Sequence, residues 1–172
     1  MYDIIIAGSG VAGSYLARLL KLNVLVIERR KEIYLKDSGI VSANFKNFFP
    51  RKLIKSDIRE MQLLSPSKNV LVSSKKPFAH ILKREYFSAF LRKRIKCDIV
   101  YESVENVEKR KDFVEVITNK SRYQAKLVVG CDGTNSMVRK SFGIKNPEML
   151  VGTLVKAPVA GDRIRVYFNK SY

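Results

Sequence analysis

The sequence has no tryptophan, a single histidine, two cysteines and about half as many acidic as basic residues, and each shortage removes a class of reading. Cys97 and Cys131 lie far apart and form no CxxC pair, so neither a zinc site nor a disulfide framework is indicated, and a reducing, cytoplasmic setting fits. His80 sits in a strand-like run, where a structural role is the expectation, and nothing else offers a convincing proton donor; no catalytic residue and no metal ligand is named. No apolar run approaches the roughly 20 residues that a spanning helix needs. The N-terminal run Tyr2-Asp3-Ile4-Ile5-Ile6-Ala7 lacks the basic region and cleavage site of a signal peptide. Any meeting with a membrane is therefore peripheral. The shortage of acids leaves a net charge of +17, which attracts phosphates, nucleic acid or an anionic membrane surface. Without an RNP, zinc-finger or helix-turn-helix pattern, nucleic acid is the least favoured of these partners.

What is present reads as an α/β protein. The 172 residues, 46% hydrophobic and 28% charged, have the composition of an ordinary soluble globular chain and suffice for one large domain or one domain with part of a second. Asp3 to Ala7 is short, apolar and β-branched, and it runs into Gly8-Ser9-Gly10-Val11-Ala12-Gly13 as a buried parallel strand enters a tight turn. Val11, Tyr15, Leu16 and Leu19 then recur on a common side of a helix, and Val24 to Glu28 forms a second buried strand with an acidic end. Residues 29–47 show no sustained periodicity and read as a long loop. Three extended runs follow, Met61–Leu64, Val70–Ser73 and Phe78–Leu82, separated by Ser-Pro and Lys-Lys-Pro breaks and placed outside the nucleotide unit. Residues 84–95 form a basic amphipathic helix. Ile99–Val104, Phe113–Thr118 and Tyr123–Val129 read as a β-meander, Asn135–Phe142 as a short helix closed at Gly143, and Leu150–Val155 and Arg163–Phe168 as further strands.

Two motifs carry chemistry. In Gly8-Ser9-Gly10-Val11-Ala12-Gly13 the first glycine permits the turn, the second lets backbone approach a pyrophosphate, and the third lets helix pack closely on strand. The helix N-terminus then offers unpaired N–H groups and a positive dipole to the phosphates. Glu28, at the end of the next strand, is placed to accept hydrogen bonds from ribose hydroxyls. Ser9, Ala12 and Arg29 complete this candidate set. The second motif is Leu127-Val128-Val129-Gly130-Cys131-Asp132-Gly133-Thr134-Asn135-Ser136-Met137-Val138-Arg139. Its Asp132-Gly133 pair also fits a plain turn before a Ser- or Asn-capped helix.

A strand ending in Gly-x-Asp-Gly, with Ser and Arg following on a helix, resembles the aspartate-glycine motif of FAD-dependent hydroxylases and reductases of the para-hydroxybenzoate hydroxylase fold. Within that fold the chain is most similar to the geranylgeranyl reductase family. The similarity runs through Tyr2 to Arg30, Asp37-Ser38-Gly39-Ile40-Val41-Ser42, Ile81-Leu82-Lys83-Arg84-Glu85-Tyr86-Phe87, and Leu127 to Arg139. Residues 150–170 look like that family's entry into its substrate sheet. The resemblance implies FAD as cofactor, with Arg84, Asp132 and Gly133 joining the cofactor-binding set, and an isoprenoid lipid whose double bonds are reduced. It implies a Rossmann-type FAD-binding domain with a β-meander (residues 1–60 and 83–148) and the beginning of an antiparallel substrate-domain sheet (61–82 and 149–172). Three departures stand out: the first helix is about a turn short, Asp37 replaces a frequent cysteine, and the family's Tyr-x-Trp-x-Phe-Pro segment and second glycine-aspartate motif do not occur before Tyr172. The expectation is thus an N-terminal portion, truncated or split, whose open sheet is covered by a complementary C-terminal polypeptide or a twin subunit. Two rival readings are an aromatic monooxygenase or halogenase-like flavoprotein on the same fold, and a nucleotide-binding remnant incompetent alone.

Overall fold

A computed structural model describes residues 1–33, 38–149, 152 and 163–168. The chain divides into two compact units, Met1–Tyr34 with Ser88–Leu150 and Leu35–Phe87 with Val151–Tyr172.

The first unit is built on a six-stranded sheet. β1 (Tyr2–Ala7) enters helix α1 (Val11–Leu19), which leads to β2 (Val24–Glu28), parallel to β1 with Ile4 opposite Val24. The two strands are nearly continuous apolar runs because both of their faces are covered. On one face Ile5, Ala7, Leu25 and Ile27 join Val107, Val116, Ala125 and Val138; on the other Ile6, Val24 and Val26 meet Ala17 of α1. The buried side of α1 is Gly13, Ser14 and Ala17, whereas Val11 and Leu19, expected to face the sheet, are 45% and 56% exposed. The reason is proximity. The helix runs so close to the turn before it that a Cβ on Gly13 would lie 1.9 Å from the Gly8 carbonyl oxygen, and only small residues fit between.

The second unit contains two three-stranded sheets. Within residues 29–47, read from sequence as loop, β3 (Ile40–Ser42) and a 3₁₀ turn (Ala43–Asn47) are formed. A second 3₁₀ turn (Arg51–Leu53) leads into β4 (Ile54–Ile58), and β5 (Glu60–Leu64), β6 (Asn69–Ser73) and β7 (Ala79–Leu82) follow, the last three matching the three extended runs. β7 lies between β3 and β4, antiparallel to both. The sheet rests on an aromatic group in which Phe45 stacks on Phe49 with ring centres 4.8 Å apart, and both meet the edge of Phe87.

Helix α2 (Arg84–Arg92) spans the division between units and ends a turn earlier than its apolar pattern suggested. Phe87, Phe90 and Leu91 are buried, and the guanidinium of Arg94 covers the Phe90 ring at 3.5 Å. Back in the first unit, β8 (Asp98–Tyr101) is not the opening strand of the meander: it adds to β2 in parallel, with Val26 opposite Ile99. The meander is β9 (Val104–Lys109), β10 (Val114–Thr118) and β11 (Arg122–Gly130). β9 has only Val104 and Val107 as apolar residues, three apart among Glu105, Asn106, Glu108 and Lys109, so it lacks the period of two that marks a strand and reads as a turn region. β11 returns parallel to β1, giving the order β8-β2-β1-β11-β10-β9. α3 (Met137–Ser141) follows, and Gly143 beyond it has a φ of +65°, the left-handed stop expected there.

In the second unit β12 (Arg163–Tyr167) pairs with β5 in parallel, and β5 with β6 antiparallel. This sheet is mixed rather than antiparallel as expected. A hairpin cannot join parallel neighbours, but β12 reaches β5 only after the long passage through the first unit, and such a connection permits either direction. Of the expected strand at 150–155 only Gly152 lies within the described residues, and Asp37 lies outside them.

Candidate functional site

The two motifs meet at the C-terminal ends of β1 and β11. The backbone N–H of Gly8 donates to Ile27 of β2, and that of Cys131 to Ala7 of β1, each at 2.7 Å. Parallel strands so close leave no room for a side chain in the first turn. Gly8 takes a φ of +97°, and a Cβ there would lie 2.5 Å from the Cys131 carbonyl oxygen. Gly8 and Gly13 are thus required by the chain's own packing. Gly10 differs from both: its φ is −64°, and a Cβ built on it meets nothing within 4 Å. Among the described residues, no atom beyond Gly10's own chain neighbours and the backbone of its helix claims this space.

Gly10 is also the N-cap of α1, and no side chain there accepts from the first helical N–H groups; the helical ladder starts with Ser14 N–H to the Gly10 carbonyl at 2.9 Å. The first turn of a helix has N–H groups without intrahelical partners, together with the positive end of the dipole. Ser9, Gly10, Val11 and Ser14 line a small cleft with Ile33, Ser88, Leu91 and Arg92 of the same unit. Arg92, at the end of α2, is fixed by a 2.7 Å hydrogen bond to the Lys31 carbonyl.

Glu28 stands at the end of β2, beside this turn. Its Oε2 accepts from the Ser9 backbone N–H at 2.7 Å and from the Ser9 hydroxyl at 2.9 Å, and its Oε1 from Arg30 N–H at 3.1 Å. The buried Ser14 hydroxyl in turn donates to the Ser9 carbonyl at 2.7 Å. Ser14 was missed by sequence reasoning; a serine directly after the last motif glycine, on the buried side of the helix, was its signal. Ala12 lies in the first turn of α1, and Arg29 is exposed after β2.

At the second turn Asp132 does two things at once. Its Oδ2 accepts from the N–H groups of Met137 and Val138 at 2.7 and 3.2 Å, while the Ser136 hydroxyl oxygen accepts from Arg139 N–H, so the start of α3 is capped twice. The turn reading is therefore met in full. Yet Oδ1 of the same carboxylate is buried and has no hydrogen-bond partner, a costly state unless a further donor approaches. Gly133, with a φ of +83°, likewise has open space where a Cβ would stand. Cys131 lies between the motifs; burial, and then the charge of Asp132, push its thiol above the ordinary value.

Eight of the sequence-derived site residues, Gly8, Ser9, Gly10, Ala12, Gly13, Glu28, Asp132 and Gly133, thus share the first unit, as does Arg29. Arg84 belongs to the second. There its stem lies over Gly39, whose missing Cβ would fall 2.5 Å from the Arg84 Cγ, and the Leu82 N–H donates to the Gly39 carbonyl. His80, 1% exposed, ties β7 to β4 through a 2.9 Å contact from Nδ1 to Asp57. Burial tends to raise the Asp57 carboxyl, but hydrogen bonding and charge from Arg51 and His80 hold it below its ordinary value. Among the described residues no group of acidic, histidine or cysteine side chains is placed to hold a metal, and no helix is long and apolar enough to cross a membrane.

This architecture is the fold of FAD-dependent oxidoreductases. A geranylgeranyl bacteriochlorophyll reductase-like protein of Thermoplasma acidophilum superposes on 98% of the chain, covering 50% of its own length, with a TM-score of 0.76 and 21% identity. The halogenase PltM, in complex with phloroglucinol and FAD, superposes on 83% of the chain and 36% of its own, with a TM-score of 0.65 and 20% identity. By sequence the chain is 26% identical over 187 aligned residues to an uncharacterized protein of Methanocaldococcus jannaschii, 99% of the chain against 48% of that protein. The chain spans about half the length of the first curated relatives it matches. No family model matches it.

Proposed function

We propose that the chain binds FAD and serves a flavin-dependent oxidoreductase that reduces isoprenoid double bonds of the geranylgeranyl type. The observation that carries the cofactor half of this reading is the contrast among the three glycines. Packing explains Gly8 and Gly13 fully and Gly10 not at all, so Gly10 is left to accommodate something other than the chain. A pyrophosphate set against the uncapped start of α1 would use both the open space and the N–H groups beneath it. Glu28 then holds the ribose, and Asp132, with its partnerless Oδ1, is the group ready to accept from a hydroxyl further along the cofactor. The substrate class rests on the resemblance of the motifs and on the likeness to the Thermoplasma reductase-like protein.

When bound and reduced, the flavin supplies hydride to an alkene carbon. The chain's own contribution in this unit is placement: the glycine turn sets the depth of the pyrophosphate, Glu28 the rotation of the ribose, and Asp132 the path of the cofactor past β11. Covering of the substrate sheet by a further polypeptide or a twin subunit, and contact of the basic surface with a lipid headgroup layer, belong to the same proposal.

The test is Gly10→Val. The φ of −64° suits valine and no protein atom is displaced, so thermal stability should stay within about 1 kcal/mol of the parent. Binding of FAD and ADP, followed by calorimetry, should fall at least tenfold. Unchanged affinity for both would overturn the assignment. Reduction of a geranylgeranyl lipid, read as two-hydrogen additions by mass spectrometry under anaerobic conditions, tests the substrate; reduced flavin bound to the chain and its C-terminal complement without any such addition would refute it.

A further inference from the structure

Resting on the proposed ADP site, the hydrogen-bond capacity of Glu28 leads to a statement about how much of the ribose it can read. A carboxylate has two oxygens and about four acceptor places. Three of the four are filled by the chain itself: Ser9 N–H and Ser9 Oγ–H both converge on Oε2 at 2.7 and 2.9 Å, and Arg30 N–H takes one place on Oε1 at 3.1 Å. Oε2 is saturated. The arrangement is also locked, because Ser9 is 4% exposed and its carbonyl is held by the Ser14 hydroxyl at 2.7 Å, with Ser14 itself buried. One acceptor place remains, on Oε1.

We propose that Ser9 makes Glu28 a receptor for a single ribose hydroxyl, where the same carboxylate without the serine hydroxyl would have room for two. Ser9 is then a positioning and specificity-determining residue rather than a phosphate ligand. Its one hydroxyl proton is given to Glu28, so none remains for a phosphate oxygen, and its effect on the nucleotide passes through the carboxylate it orients. An alanine at this position would keep the backbone N–H bond but release one place on Oε2.

The experiment is a calorimetric titration of the 172-residue chain with ADP, 2′-deoxy-ADP and 3′-deoxy-ADP, repeated with Ser9→Ala and with Glu28→Gln. The parent should lose about tenfold in affinity with one deoxy analogue and less than twofold with the other, since one charge-assisted bond is at stake. Ser9→Ala should lose with both analogues, and Glu28→Gln should lose most of its discrimination between ADP and either. Equal weakening of both analogues with the parent chain would overturn the inference, as would a Ser9→Ala pattern identical to the parent's. Should Ser9→Ala fail to fold, the unequal response of the parent alone still decides. Absence of ADP binding by the parent would instead strike down the proposed site, and this inference with it.

Discussion

The turn after β1 and the turn after β11 are built to the same plan and use it differently. Each follows a parallel strand into a helix and each has a glycine at positive φ, Gly8 at +97° and Gly133 at +83°. In the first turn the acid comes from the neighbouring strand, and two glycines are locked against backbone. In the second the acid lies in the turn itself and is half consumed in capping a five-residue helix. The first turn obtains its shape from steric necessity, the second from a hydrogen-bonded side chain. Substitutions should therefore be intolerable at Gly8 and Gly13 of the first turn and graded in the second.

The largest effect should come from Gly13→Ala, because the new methyl would meet the Gly8 carbonyl oxygen at 1.9 Å and backbone cannot yield as a flexible side chain does. We expect a loss of about 3 kcal/mol in urea unfolding. A loss below about 1 kcal/mol would mean the first turn is softer than its geometry. Asp132→Ala comes next. It removes two hydrogen bonds from the start of α3 and should cost about 1–2 kcal/mol, with Ser136 still in place to hold part of the cap. Gly133→Ala should cost only about 1 kcal/mol, the strain of a left-handed alanine, since no neighbour stands within 4 Å. Should it prove as damaging as Gly13→Ala, the contrast between the turns would collapse.

The smallest effect concerns the thiol between them. Burial first, and the Asp132 charge second, raise Cys131 above the ordinary 9.0, so less thiolate is present at pH 8 than in a free cysteine. Alkylation by iodoacetamide, followed site by site by mass spectrometry, should therefore reach half its limiting rate only above pH 9.0. Asp132→Asn removes the like charge and should move the midpoint down and raise the rate at pH 8 about twofold. A midpoint that stays put would assign the shift to burial alone.

Most of the first turn was legible in the sequence, because its physics is local: an apolar run buried on both faces, glycines at fixed spacing and an acid at the next strand end all lie within residues 3–28. What escaped was what depends on distance. The burial of Ala17 and Ser14 instead of Val11 and Leu19 follows from how near α1 runs to the turn, which no hydrophobic periodicity encodes. The strand β8 was recognised as extended, but its partner, β2, is some 70 residues away and parallel, and such pairings leave no hairpin signature. β4 was hidden because only its end residues, Ile54 and Ile58, are apolar, with Lys55, Ser56 and Asp57 between them, and Asp57 is retained near the buried His80 by Arg51. The acid Glu28 was found, but its occupation by Ser9 was not, since motif spacing places a carboxylate without counting its bonds.

The pairing of β1 with β11 also sets a timetable. Tyr2 lies opposite Ala125 and Ala7 opposite Gly130, so β1 waits for β11, the last described strand of its unit, before its second edge is satisfied. Synthesis at about 5–20 residues per second makes that interval several seconds or more. Through it an apolar strand, Ile4-Ile5-Ile6, stands at an open sheet edge, able to recruit another chain's strand as readily as its own. The small sheet of residues 40–82 is completed on β7 during the wait, with pairings only tens of residues apart. The sheet of the first unit thus holds β1 with one edge open until β11 is made, and its vulnerable period is written into the sheet order.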